Sequence, residues 1–432
     1  MKTKKNLGFI ELLAIAIGGM VGGGIFTILG ISVSMVGTLA PFAIALGGVI
    51  AWFAAYSYVK LGVYYKDEGA TYAFFKRTYP SSHMAASFIG WYTIFGYIST
   101  LALYAYTFSS YAISGFDFAQ NEVIRKIIAT SIIIIFALIN LWSVKGMGKI
   151  EDLMVYSKLI ILLLISIVLI FFAKTDLNTF VSIMQSDIKQ TPFISILMVS
   201  SITFVAYEGF QLVINAVNEM ENPNKNIPKA IYWSIVLVAL IYFIIALSAT
   251  LAIPTADLIQ NKESALATGA GEIMGTIGQN LVVLGAVLAT SSAINGTLFG
   301  ASHQMARIAD DGYLPNILSL RKNLIPQVAI TAMALVASLL IAIGGLQLIL
   351  EFGSITFLLV SLLMSIANFK IRKETNSSLI VTLISISGLC IGTILILYYE
   401  FQTNPEQLLF ITFMYISLSL SALGYAHLKN QL

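Results

Sequence analysis

The side chains with chemical potential lie inside apolar stretches rather than between them. In the run Phe204-Val205-Ala206-Tyr207-Glu208-Gly209-Phe210, a carboxylate and a glycine sit midway along a hydrophobic segment. Hydrocarbon does not solvate a carboxylate, so an acid at that depth marks a functional site by default. Glu208 admits two readings: a structural acid bonded to a neighbouring helix, or a group that takes up and releases a proton. Gly209 lacks the side chain that would shield the backbone, which makes a local helix break easy. Tyr207 and Phe204 flank the acid and could gate a site there.

A matching interruption lies near the N-terminus. Five of the seven residues from Gly18 to Gly24 are glycine, with Met20 and Val21 between them. Close helix packing is one explanation. The other is an unwound segment whose freed amides, at the positive end of a half-helix, hold a substrate carboxylate. Two interrupted hydrophobic segments in corresponding positions of two halves point to a transporter binding site, and that pairing favours the second explanation.

Lys158 is the basic residue well inside an apolar stretch. It can snorkel back toward Asp152 and the interface, or it can be a buried amine that gains and loses a proton and serves as a built-in cation. Ser291 and Ser292 lie in a later segment, where hydroxyls by default bond back to their own turn. Asn295-Gly296-Thr297 matches a glycosylation sequon, but within a helix it would not be modified. His83, His303 and His427 are far apart and Cys390 is the one cysteine, so no metal set and no internal disulfide is expected. No cofactor signature is present, and Gly22-Gly23-Gly24 is not followed by a phosphate-binding lysine.

The elements that must carry these groups are membrane helices. Of 432 residues, 58% are hydrophobic and 10% charged, against about 25% charged in soluble domains. A spanning helix needs ~20 mainly apolar residues. Cutting at charges, prolines and polar clusters predicts twelve, at 9–37, 41–64, 84–115, 127–144, 153–173, 193–218, 230–253, 273–304, 326–343, 347–369, 378–399 and 407–427. A polar, proline-marked loop is expected between the sixth and seventh, through Pro223 and Pro228. With the N-terminus inside, only Arg125, Lys126, Lys174, Lys189 and Lys262 of the 24 basic residues fall in outer loops. The positive-inside rule therefore puts both termini in the cytoplasm. The basic N-terminus, Lys2, Lys4 and Lys5, leads into a retained first helix rather than a cleaved signal. No loop is long enough for a further domain, so coupling must use ion gradients or exchange.

Several separated blocks, in order along almost the whole chain, resemble the amino acid–polyamine–organocation superfamily of secondary transporters. Leu7-Gly8, Ala16-Ile17-Gly18 and Gly22-Gly23-Gly24-Ile25-Phe26 are similar to its first-helix signature. Glu68-Gly69-Ala70-Thr71-Tyr72, Arg77 and Gly90-Trp91 are similar to its second loop and third helix. The most specific block is Phe204 to Phe210 with Glu219-Met220-Glu221-Asn222-Pro223 and Asn226-Ile227-Pro228-Lys229-Ala230. Met305-Ala306-Arg307, Asp310-Asp311-Gly312 and Leu314-Pro315 are similar to the loop after helix 8. Ala70, where the family has a second glycine, and Tyr79-Pro80 depart from the pattern, away from the predicted site.

The resemblance implies an all-α integral membrane protein of twelve transmembrane helices. Its fold would be leucine-transporter-like: two inverted five-helix repeats, about 9–173 and 193–369, with helices 1 and 6 broken and helices 11 and 12 (about 378–427) appended in one domain. It implies that amides at Gly22, Gly23 and Gly24 hold the substrate carboxylate. Carbonyls near Gly19, Met20, Val205, Ala206 and Glu208 would take the amino group, with Phe204 and Tyr207 beside them. Lys158 would occupy the place of a sodium ion, facing a carbonyl near Gly18 and the hydroxyls of Ser291 or Ser292. The expected function is proton-coupled uptake of neutral amino acids, with an amino acid substrate, protons and the lipid bilayer as partners and no nucleic acid. An exchanger, a carrier of cationic amino acids or polyamines with Glu208 as counter-charge, and a non-transporting amino acid sensor are the alternatives. A channel lacks a filter signature, and no nucleophile–base pair suggests an enzyme.

Overall fold

The computed structural model describes residues 7–142, 147–173, 175–322 and 324–431, without the side chains of 147–154, 177, 430 and 431. Lys2, Lys4, Lys5, Lys145 and Lys174, used in the orientation reading, lie outside the described residues, as does the side chain of Asp152. The described chain is helical, with two isolated bridges (Leu7 with Met220, Lys322 with Ile325) and no strand.

The helices, in order, are α1 (Phe9–Met20), α2 (Gly24–Val36), α3 (Ala40–Tyr65), α4 (Ala70–Thr78), α5 (His83–Ala112), α6 (Glu122–Trp142), α7 (Met147–Phe171), α8 (Leu177–Gln190) and α9 (Phe193–Ile202). A 3₁₀ segment, Thr203–Tyr207, leads to α10 (Leu212–Asn215), α11 (Pro223–Ala252), α12 (Thr255–Gln260) and α13 (Ala265–Asp310). A 3₁₀ turn, Asn316–Ser319, precedes α14 (Gln327–Ile343), α15 (Leu346–Lys370), α16 (Leu379–Thr403) and α17 (Pro405–Gln431). Among the described residues, eight helical stretches are long and apolar enough to cross a bilayer, and three shorter helices are also apolar.

Two helices break where carboxylate and glycines interrupt the pattern. The first predicted span, 9–37, divides into α1 and α2 around Val21, Gly22 and Gly23. The sixth, 193–218, runs as α9, tightens to 3₁₀ at Thr203, turns extended at Glu208 and resumes as the short α10. The two breaks face each other, and the chain around them forms the core. Helix α11 packs along α3 and α1, α13 along α5 and α7, and α15 along α5, α3 and α16.

Other boundaries move for local reasons. The expected loop around Pro223 and Pro228 is helical: Pro223 opens α11 at its first position, where the absent N–H has no helical partner to lose. The eighth span begins earlier, because Ala265 to Met274 is already helical and the direction changes at Gly275, whose φ is +67°. Helices α4, α8 and α12 were not predicted; each is short or amphipathic. Helix α8 is capped by Asp176, which accepts from Thr179 N at 3.2 Å. Its Asp187 then accepts from Thr38 N and Oγ1 at 2.9 and 2.6 Å, tying the helix to the turn between α2 and α3.

Candidate functional site

A cavity of about 460 Å³ lies against the two breaks. Gly18, Gly19, Glu208 and Gly209 form its inner wall, with Ser292 and Tyr104 opposite. It extends toward the end of the bundle that carries Leu7 and Glu11, past Asn215 and Gln304. Beyond the breaks, Ile25, Phe26, Ile28 and Leu29 of α2 are fully buried, and the Lys262 backbone seats against Gly30 where a β-carbon would collide with it. Arg125 clamps that turn by pairing with both Glu263 and Glu122. Burial pushes the Glu263 carboxyl up, while Arg125 beside it pulls the other way. The cavity is therefore accessible from one end of the molecule.

Contact between the breaks requires glycine. Gly209 has φ +124°, and a β-carbon there would stand 2.5 Å from the Gly19 carbonyl carbon. At Gly24 a β-carbon would meet Ala206, and at Gly23 it would meet Thr290 and Tyr104. The Met20 carbonyl accepts from Gly22 N at 2.9 Å, and α2 starts at Gly24 with no side-chain cap. The amides of its first turn thus carry the positive end of a half-helix toward the break. Tyr242 of α11 joins the two segments: its buried hydroxyl lies 2.8 Å from Met20 O and 3.1 Å from Ala206 O.

Lys158 has no exposed surface, and its Nζ donates to Gly18 O at 2.8 Å. A side chain so placed is not snorkelling to an interface. The ammonium meets the open carbonyl end of α1, the end of a helix that favours a cation. Glu208 is buried; its Oε2 accepts from Gln211 Nε2 at 2.8 Å, and Gln211 Oε1 accepts from Gly209 N at 3.0 Å. Its Oε1 has no hydrogen-bond partner among the described residues.

The remaining predicted residues divide between the wall and the scaffold. Gly18, Gly19, Glu208 and Ser292 line the cavity. Met20, Gly22, Gly23, Gly24, Val205, Ala206 and Ser291 are buried in the layer around it. Phe204 is fully buried, and Tyr207 donates to Ile44 O of α3 at 2.8 Å, directing its ring away from the wall. Sequence reasoning missed Tyr97, Thr100 and Tyr104 on α5, which share one helical face at i, i+3 and i+7. It also missed Gly296, Gly300 and Gln304, which continue from Ser292 at a spacing of four on α13. Both periodicities are visible in the chain, but in an apolar bundle they are indistinguishable from packing seams until the partner helices are known. Gln211 and Tyr242 had no sequence signal.

The family model described as Amino acid permease matches residues 7–421. The inner membrane transport protein YbaT of Escherichia coli is 27% identical over 411 residues, covering 94% of this chain and 93% of that protein. The branched-chain amino acid permease BcaP of Bacillus subtilis is 24% identical, covering 86% of this chain and 82% of BcaP. A manganese transporter of Eremococcus coleocola, in complex with a bis-isothiourea compound, shares the fold at TM-score 0.60 and 12% identity over 96% of this chain and 94% of its own. These matches span the breaks, the cavity and the helices that enclose them. The chain belongs to the amino acid permease family of the amino acid–polyamine–organocation superfamily, whose members are multi-pass membrane transporters rather than enzymes.

Proposed function

We propose that the protein imports neutral amino acids across the cytoplasmic membrane by alternating access, coupled to protons. The observation that carries this reading is the buried contact of Lys158 Nζ with Gly18 O. A protonated amine there holds α1 against α7; a neutral amine loses most of that charge-assisted bond and frees α1 to move. An ammonium in this position also does the work of a bound cation, so no sodium ion is needed.

The substrate carboxylate would sit on the amides at Gly22, Gly23 and Gly24, and its amino group on carbonyls near Gly19, Met20, Val205, Ala206 and Glu208. The Tyr242 hydroxyl now reaches two of these carbonyls. The wall beside them offers Tyr104, Thr100 and Phe357, and among the described lining residues the one other acid, Glu11, lies toward the open end, which suits uncharged side chains. The branched-chain substrates named for BcaP agree with that preference.

In this reading α1–α2 and α9–α10 are the first and sixth of twelve spans. Residues 9–173 and 193–369 form two inverted repeats, and α16 and α17 are appended. Both termini are cytoplasmic, so the cavity faces inward and the clamped Lys262 turn is the closed outer side. Uptake into proteoliposomes without sodium tests this. An imposed inward proton gradient should drive accumulation into empty vesicles, and a protonophore should collapse it. Uptake only into vesicles preloaded with amino acid, indifferent to pH, would make the protein an exchanger.

A further inference from the structure

Away from the cavity, two acidic side chains meet inside the bundle. Glu351 of α15 and Glu400 of α16 have no exposed surface, and their carboxyl groups are hydrogen-bond neighbours. Of their four oxygens, Glu351 Oε1 accepts from Gln347 Nε2 at 2.9 Å. Glu351 Oε2 and both oxygens of Glu400 have no partner among the described residues. Two facing carboxylates repel, and burying an unpaired charge is costly. What the pair lacks is one donor between the two carboxyls, and a proton is the smallest group that supplies it.

The ionisable groups around the pair are Tyr399 of α16, which reaches Gln347, and, through its charge, Lys262 in the turn after α12.

We propose that Glu351 and Glu400 form a proton-binding site, separate from Lys158, that holds one proton between two carboxyls. The step is a protonation: a proton from water adds to a Glu400 carboxylate oxygen, and the new O–H donates to Glu351 Oε2. No other bond forms or breaks.

The test is infrared difference spectroscopy on the full-length protein in liposomes during pH jumps, without sodium. The wild type should show a protonated-carboxyl band that Glu351→Gln/Glu400→Gln lacks. An unchanged band in the double variant would overturn the proposal. So would a band that responds to added sodium at fixed pH. Should the double variant fail to fold, Glu400→Gln alone supplies an amide donor to Glu351 and should remove the band. The band is read without transport, so failure of proton-coupled uptake would leave this result standing, and the reverse.

Discussion

The two breaks solve one problem with opposite means. At residues 21–23 the chain carries no ionisable side chain; its polarity is all backbone, and the cation that meets it, Lys158, comes from α7. At 208–211 the chain brings its own acid and its own partner, Glu208 and Gln211, and the backbone strain is concentrated at Gly209. The first break can be released by a change on another helix, whereas the second is held by groups within four residues. Under the proposed mechanism, the first break is the moving contact and the second the fixed frame.

Substitutions can break or sharpen this contrast. Gly209→Ala should have the largest effect, because it adds a positive-φ penalty of ~1–3 kcal/mol to a clash with the Gly19 backbone. Loss of the folded monomer in detergent chromatography is expected, and a stable, active variant would show that the frame is loose. Gly23→Ala should lose amino acid binding by at least about tenfold, a change of ~1.4 kcal/mol, since its β-carbon would stand 2.9 Å from Thr290 and 3.1 Å from Tyr104. Retained affinity would remove the first break from the site. Gln211→Leu leaves Glu208 Oε2 without its donor and should destabilise by about 1–3 kcal/mol, read as a lower thermal midpoint. Thr27→Val should cost least, about 1 kcal/mol, through loss of the Thr27–Thr107 contact at the edge of the first break.

Much of this architecture is legible in the chain because hydrocarbon imposes simple rules. Runs such as 41–64 and 347–369 read directly as α3 and α15, and the glycines and Glu208 mark both breaks. What escaped has a physical reason too. Helices α4 and α8 mix charge with apolar residues and lack the length of a span. Pro223 and Pro228 read as loop punctuation, yet Pro223 opens α11 at its first position and Pro228 lies inside its second turn. Tyr242 lies in an uninterrupted apolar run, and only the packing of α11 on α1 puts its hydroxyl between the two broken segments. Phe204 and Tyr207 adjoin Glu208 in sequence, but the tight 3₁₀ segment, with Tyr207 bonded to α3, turns them toward the scaffold.

The most direct measurement is the pH dependence of amino acid uptake by Lys158→Ala in sodium-free proteoliposomes, beside the wild type at matched protein content. With Lys158 as the releasable hold on the first break, the variant should bind amino acid but show no uptake that responds to a proton gradient. Uptake with the wild-type pH profile would contradict that role and leave the Lys158–Gly18 contact a matter of packing alone.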